Sequence, residues 1–401
     1  MCYNSAKSRV SFMNRIGIIY FALLPLCVAS AFIFIADGLL VSSAGVLLDG
    51  FKASKEQIGL VNACFFAGAV ACTIFSHRLI SACGYERAFS VFCAIFALSA
   101  LLGALSNNLL FWGVLRFFMG LAYYSIVMII EVWLNASVSN SIRSRVLGIY
   151  ETLFYASFGV GALFIAFSLS VEATLILSAV FIVLALLPLN LKALKTPLVP
   201  LKAKISLPNI FSAPKLALIS DFIGGLCMNG FFSMASVFAL LYGLGDGSVA
   251  VFIAISMVGG VCGHLLCGVV SDKFGRVNAL LLASFLSLIS AFLLGVPKII
   301  FVAVFLLGAG IFVLYALSLA IANDAITDKR EYILASRAML FSYLLGSLFA
   351  APILGFLMSA FGAWGFIGFY VFLSGLLLVI TFFGRFVGKR AFKNTKKSRE
   401  F

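Results

Sequence analysis

The sequence predicts an all-α membrane protein with twelve transmembrane helices in two six-helix bundles. Three observations predict it. Hydrophobic residues make up 63% of the 401 and charged residues only 10%, with 43 Phe. A water-facing surface needs roughly a quarter charged residues, so a soluble domain is excluded. Apolar runs of about 20 residues, the length that crosses the hydrocarbon core as a helix, occur about twelve times. Finally, features of the first half return 191 positions later: Gly84 matches Gly275, and Tyr124 matches Tyr315.

Taken in order, the first run covers about 22–48. It follows Lys7, Arg9 and Arg15 but is too long for a signal core and lacks a cleavage site, so it reads as a span. Runs at 58–76, 88–106, 109–131, 146–169 and 173–191 complete the first six, with minimal loops such as Ser106-Asn107-Asn108 and Ser170-Val171-Glu172. The one break in composition is 190–215, which holds Lys192, Lys195, Lys202, Lys204 and Lys215 among Pro197, Pro200, Pro208 and Pro214. It is too short for a folded domain and reads as a linker. Six further runs follow at 216–242, 249–270, 277–295, 299–322, 335–358 and 364–384. None alternates with period two, so helices rather than barrel strands are expected. The expected division is a bundle over 1–189, a basic linker over 190–215, and a bundle with a basic tail over 216–401.

The net charge of +14 is a matter of topology and not a nucleic-acid footprint. With the N-terminus inside, 24 of the 28 Lys and Arg fall on cytoplasmic segments; the exceptions are Lys52, Lys55, Lys298 and Arg116. Short loops biased in this way face the cytoplasm, so both termini are expected inside. The run from Lys389-Arg390 through Lys393, Lys396, Lys397 and Arg399 reads as an anchor to anionic lipid. Of nine cysteines, none falls in an outer loop and no pair has zinc-ligand spacing, so disulfides, metals and cofactors are not expected.

The motifs sharpen this reading. Gly268-Val269-Val270-Ser271-Asp272-Lys273-Phe274-Gly275-Arg276 lies between two apolar runs, and His77-Arg78-Leu79-Ile80-Ser81-Ala82-Cys83-Gly84-Tyr85-Glu86-Arg87 is its weaker copy. Ser81 stands where Asp272 stands, and His77 where Gly268 stands. The pattern resembles the loop between helices two and three, and eight and nine, of the major facilitator superfamily. Further segments resemble its YcaD-like branch of bacterial inner-membrane transporters. They are Phe65-Phe66-Ala67-Gly68, Glu131-Val132-Trp133-Leu134-Asn135 with Arg143-Ser144-Arg145 and Tyr150, and Gly259-Gly260 through Gly263-His264. Span five has Gly159 and Gly161 without the Gly-Pro pair associated with drug–proton antiporters. The resemblance implies parallel halves with substrate held between them at the midplane, moved by alternating access in the bacterial cytoplasmic membrane.

Candidate site residues follow from charge placed where charge is costly. Asp37 sits mid-span in span one, where a carboxylate needs a partner, a cavity or a proton; the plainer alternative is a packing role bonded to Ser42 or Ser43. Arg116 is the one basic residue deep in a span, and with Gly120 it matches the Arg-x-x-x-Gly pattern of helix four in proton-coupled members. It cannot shed its proton, so it needs a carboxylate, a carbonyl or an anionic solute. An Asp37–Arg116 pair is expected, and Arg116 leans the substrate toward an anion or zwitterion. Glu151 and Asn229 join this coupling set, as does His264, which either relays a proton or bonds a neighbouring helix. Glu131 and Glu151 flank Arg143 and Arg145, which suggests a local ion cluster. Tyr123, Tyr124 and Tyr315 are expected to line the cavity. Asp272, Lys273, Gly275 and Arg276 are expected to gate it, with Arg143 or Arg145 as the partner of Asp272.

The resulting expectation is a monomeric, non-enzymatic secondary transporter of a small organic solute, proton-coupled through Asp37 and Arg116. An uncoupled facilitator and a multidrug efflux pump are the alternatives within transport. A membrane-embedded acyltransferase would need a His beside an acid at the interface, and a sensor would need an output domain; the sequence offers neither.

Overall fold

Twelve helices long and apolar enough to cross a membrane make up the described chain. A computed structural model gives the backbone of residues 2–138, 143–191, 213–325 and 329–397, and side chains within 23–73, 75–138, 146–190, 213–325 and 335–385. The spans are α1 (Leu23–Gly50), α2 (Lys55–Thr73), α3 (Tyr85–Leu105), α4 (Leu109–Ser137), α5 (Val146–Phe167) and α6 (Val171–Asn190). Then follow α7 (Lys215–Leu241), α8 (Asp246–Phe274), α9 (Arg276–Leu293), α10 (Pro297–Asp324), α11 (Ala335–Phe361) and α12 (Ala363–Arg385). The helix of α2 continues beyond its span to Cys83. The fold is all-α, as expected, and most of the expected linker lies outside the described residues.

Hydrocarbon offers no hydrogen bonds, so helix ends and buried hydroxyls must be satisfied within the protein. Ser54 opens α2 with a reciprocal capping box with Gln57. Asn108 caps α4 through the Leu110 and Phe111 amides, and Ser170 caps α6 through the Ala173 amide. These are the polar residues of the minimal loops read from the sequence. Mid-helix hydroxyls bond back to their own helices, as Ser30 does to the Leu26 carbonyl and Ser284 to that of Leu280, both at 2.7 Å.

The halves repeat in packing as well as in sequence. In the first half α2 packs on α4, α1 on α5 and α3 on α6; in the second α8 packs on α10, α7 on α11 and α9 on α12. The turn glycines repeat too: Gly84 has φ 82° and Gly275 φ 92°, both in the region closed to most L-residues. Between the halves, α2 meets α11, α5 meets α8 and α1 meets α7.

These contacts are tight on the side away from the chain termini. There a Cβ on Gly59 of α2 would collide with the Ala351 carbonyl of α11, and one on Gly355 with the Lys55 carbonyl. On the same side the Ser168 hydroxyl donates to Asp246 at 2.7 Å across the two halves. One span is interrupted. Within α10 the helix stops at Ile311 and resumes at Leu314, so Phe312 and Val313 break it near its middle, just after Gly308 and Gly310.

Candidate functional site

Between the halves lies a cavity of about 400 Å³, enough for a small organic molecule. Its deep wall is apolar and buried, with Val41, Phe158 and Phe232 all under a tenth exposed. Toward the side of the termini its lining includes exposed Thr73, Glu151, Arg337 and Leu340. The cavity is thus closed on one side, by the α2–α11 and α5–α8 contacts, and open toward the other.

Asp37 reaches this cavity from the middle of α1, about 21 Å along the helix from Leu23 at ~1.5 Å per residue. It is 4% exposed, and its Oδ1 is buried with no hydrogen-bond partner. The Tyr123 hydroxyl and the Arg116 charge face its carboxyl. Ser43 bonds back to the Leu39 carbonyl, not to Asp37.

Arg116 occupies the crossing of α2 and α4. Gly120 and Gly68 let these helices approach until a Cβ on either would overlap the other backbone, which explains the Arg-x-x-x-Gly spacing. The guanidinium is held between them, 4.9 Å from the Phe65 ring centroid, and donates to Asn62 Oδ1 at 2.9 Å. Its hydrogen-bonded partner is therefore Asn62, while Asp37 acts on it through space, and Arg116 is not among the lining residues. Asn62 in turn donates to the Ser233 carbonyl of α7 at 2.9 Å. A chain of hydrogen bonds thus runs from Arg116 across the boundary between the halves. Nothing in the sequence marks Asn62, because its second partner lies 171 positions away; a lone amide in an apolar span was the only hint.

The remaining expected site residues are distributed as follows. Tyr123, Tyr124 and Tyr315 all line the cavity, as do Glu131, Glu151, Asn229 and His264. Asn229 donates to the Ser347 hydroxyl at 2.7 Å, tying α7 to α11. His264 Nδ1 lies 2.9 Å from the Gly260 carbonyl; a carbonyl can only accept, so Nδ1 carries the hydrogen. The His264 ring packs on Tyr155, whose hydroxyl donates to the Phe312 carbonyl at the α10 break, 3.4 Å away. The hydrogen bond of this histidine is thus to its own helix and not to a neighbouring one, and its ring lines the cavity.

The gating motif closes on itself. Arg276 donates to the Ser271 hydroxyl at 2.6 Å, pairs with Asp272 at 3.4 Å and reaches Asp324 at the end of α10 at 3.5 Å. Lys273 is exposed and Gly275 makes the turn. The side chains of Arg143 and Arg145, expected partners of Asp272, lie outside the described residues.

The comparisons with known proteins agree with this geometry. The profile of the Major Facilitator Superfamily matches residues 26–340. The chain belongs to the Major Facilitator Superfamily. It is therefore a membrane transporter rather than an enzyme. Among similar superfamily members, an MFS-type transporter of Yersinia enterocolitica is 26% identical over 313 residues, covering 76% of this chain and 80% of the relative. The MFS-type transporter YcaD of Salmonella arizonae is 24% identical over 306 residues, covering 75% and 80%. Among solved structures, nucleoside transporter NupG aligns with TM-score 0.72 and 12% identity over 90% of this chain and 97% of its own. A bacterial homolog of the human lysosomal transporter Spinster, inward-facing and occupied, aligns with TM-score 0.68 and 16% identity over 92% and 96%. At these identities the structures share the superfamily fold with this chain and no more.

Proposed function

We propose that the protein moves a small organic solute across the bacterial cytoplasmic membrane by alternating access, with proton movement linked through Asp37. The observation that carries this reading is a mid-membrane carboxyl with an unpartnered buried oxygen, in a cavity open on one side only. With the basic segments inside, the open side is the cytoplasmic one, and the state described is inward-open. The moving units are the two six-helix halves.

In this reading Asp37 is the proton carrier. Protonation removes the negative charge facing Arg116, so the guanidinium rebalances its hold on Asn62. Because Asn62 also grips the Ser233 carbonyl, a charge change at the midplane acts on a bond that ties α2 to α7. Closure on the inner side is assigned to Asp272, which exchanges Arg276 for Arg143 or Arg145 when the cavity faces outward. The anionic or zwitterionic solute suggested by Arg116 loses support, since Arg116 donates to Asn62 and is not among the residues lining the cavity.

The test begins with metabolites retained or taken up by cells with and without the gene, followed by proteoliposomes loaded with a pH dye. Addition of the responding solute should move protons in a solute-dependent way. Solute movement without proton movement would leave an uncoupled facilitator. No solute movement at all would remove the transport reading of this cavity.

A further inference from the structure

The cavity carries a charge balance opposite to the one suggested by the lone arginine. Among its described lining residues, three are carboxylic acids, Asp37, Glu131 and Glu151, and one is a guanidine, Arg337. Glu131 and Glu151 come from different helices, α4 and α5, yet line the same cavity. Both are exposed to the cavity. Asp37, 96% buried by its 4% exposure, presents an oxygen without a hydrogen-bond partner. Arg116 faces Asp37, so the surplus negative charge lies with the two glutamates, and a cleft lined by one sign of charge concentrates cations.

The walls point the same way. Thirteen of the 28 lining residues are Phe or Tyr. Phe232 and Phe312 stack at 5.3 Å, Phe158 lies 4.8 Å from Phe232, and Phe34 meets Phe154 edge-on at 5.0 Å. This ladder passes from the first half to the second at the level of Asp37, whose neighbour Gly38 rests on the Phe158 backbone. Ring faces attract cations and repel anions. A strongly hydrated ion gains nothing from these apolar ring faces, whereas a cation with an apolar body packs against them.

We propose that the substrate is an amphipathic organic cation, an onium or amine carrying aromatic or bulky alkyl groups. Its apolar body lies on the Phe158–Phe232–Phe312 wall, and its positive centre is neutralised by Asp37 and the Glu131–Glu151 pair. The proposal rests on the transporter reading above and narrows it to a substrate class.

Two probes of nearly equal shape and opposite charge test it: radiolabelled tetraphenylphosphonium and tetraphenylborate. Binding is measured on the full-length protein in lipid nanodiscs, with empty nanodiscs subtracted. The expected result is saturable phosphonium binding, at least about tenfold tighter than borate, a gap of ~1.4 kcal/mol. The paired substitutions Glu131→Gln and Glu151→Gln should weaken it about tenfold, by a similar energy. Phe232→Ala should weaken both probes. Equal or tighter borate binding, no saturable phosphonium binding, or affinity unmoved by the glutamate substitutions would each overturn the cationic class. Asp37→Asn serves as a second variant should the double substitution fail to fold.

A failure of the transporter reading itself would look different. Cysteines placed on the closed side would never become accessible to impermeant reagent in any condition, whatever the probes bind. Accessibility that alternates while phosphonium does not bind would leave transport standing and the class wrong.

Discussion

Asp37 and Arg116 divide between them two tasks that charge can perform inside a membrane. Asp37 faces space a solute can occupy; Arg116 is fixed between α2 and α4 by Asn62 and the Phe65 ring. Asp37→Asn should therefore abolish accumulation against a gradient, while counterflow in proteoliposomes persists at raised solute concentration, where weaker binding is offset. Undiminished gradient-driven accumulation would reduce Asp37 to a structural residue. Arg116→Lys keeps the charge but loses the planar fork, and an exchange rate lower by roughly tenfold is expected. The sequence showed both residues because an ionisable side chain in an apolar run stands out on its own. It also showed the Arg-x-x-x-Gly spacing without showing what the guanidinium grips. That partner depends on how α2 and α4 cross, and the tie from Asn62 to α7 depends on how the halves meet. Asn62→Leu removes both bonds while remaining at home in an apolar span. It should favour states in which α2 and α7 separate, read as faster labelling of cysteines on the closed side; unchanged labelling would show that the Arg116 chain carries no coupling.

Single elements show how one motif can contain residues with different duties. Of the glycines in the 268–276 segment, Gly275 has φ 92° and Gly268 is an ordinary helical residue whose Cβ would meet open space. Gly275→Ala should cost about 1–3 kcal/mol, the penalty for a Cβ at φ 92° and ψ 158°, a combination essentially confined to glycine, while Gly268→Ala should be neutral or slightly stabilising. Thermal unfolding in detergent tests the pair, and equal shifts would refute the assignment. Span positions were readable from apolar length, and the polar caps Ser54, Asn108 and Ser170 from their loops. The break at Phe312–Val313 was not, because its residues are as apolar as a continuous helix requires. What marks it is tertiary: the Tyr155 hydroxyl of α5 meets the Phe312 carbonyl where the helix stops. Periodicity and hydropathy cannot register a backbone carbonyl claimed by another helix.

For the whole molecule, the repeat at 191 positions predicted the two-bundle plan, and the packing pairs of one half recur in the other. The aromatic wall was less legible: with 43 Phe in the chain, composition alone could not separate rings facing lipid from rings facing a solute. Orientation is testable directly. A reporter fused after Lys204 should be active only in the cytoplasm; activity confined to the exterior would invert the topology and the inward-open description. The closed side offers a second test. Ser168 and Asp246 are within hydrogen-bonding distance across the halves. Cysteines at both positions should form a disulfide that stops transport and is relieved by reductant. Continued transport with the bond formed would mean that this side does not open. The glycine contact nearby carries a different consequence. Gly59 and Gly355 each meet backbone of the opposing helix where a methyl group has no room. Neither position can accept a larger residue unless the other helix retreats, so across descendants of this chain the two sites are free to drift only as a unit, a lineage that enlarges one having first to remodel the other.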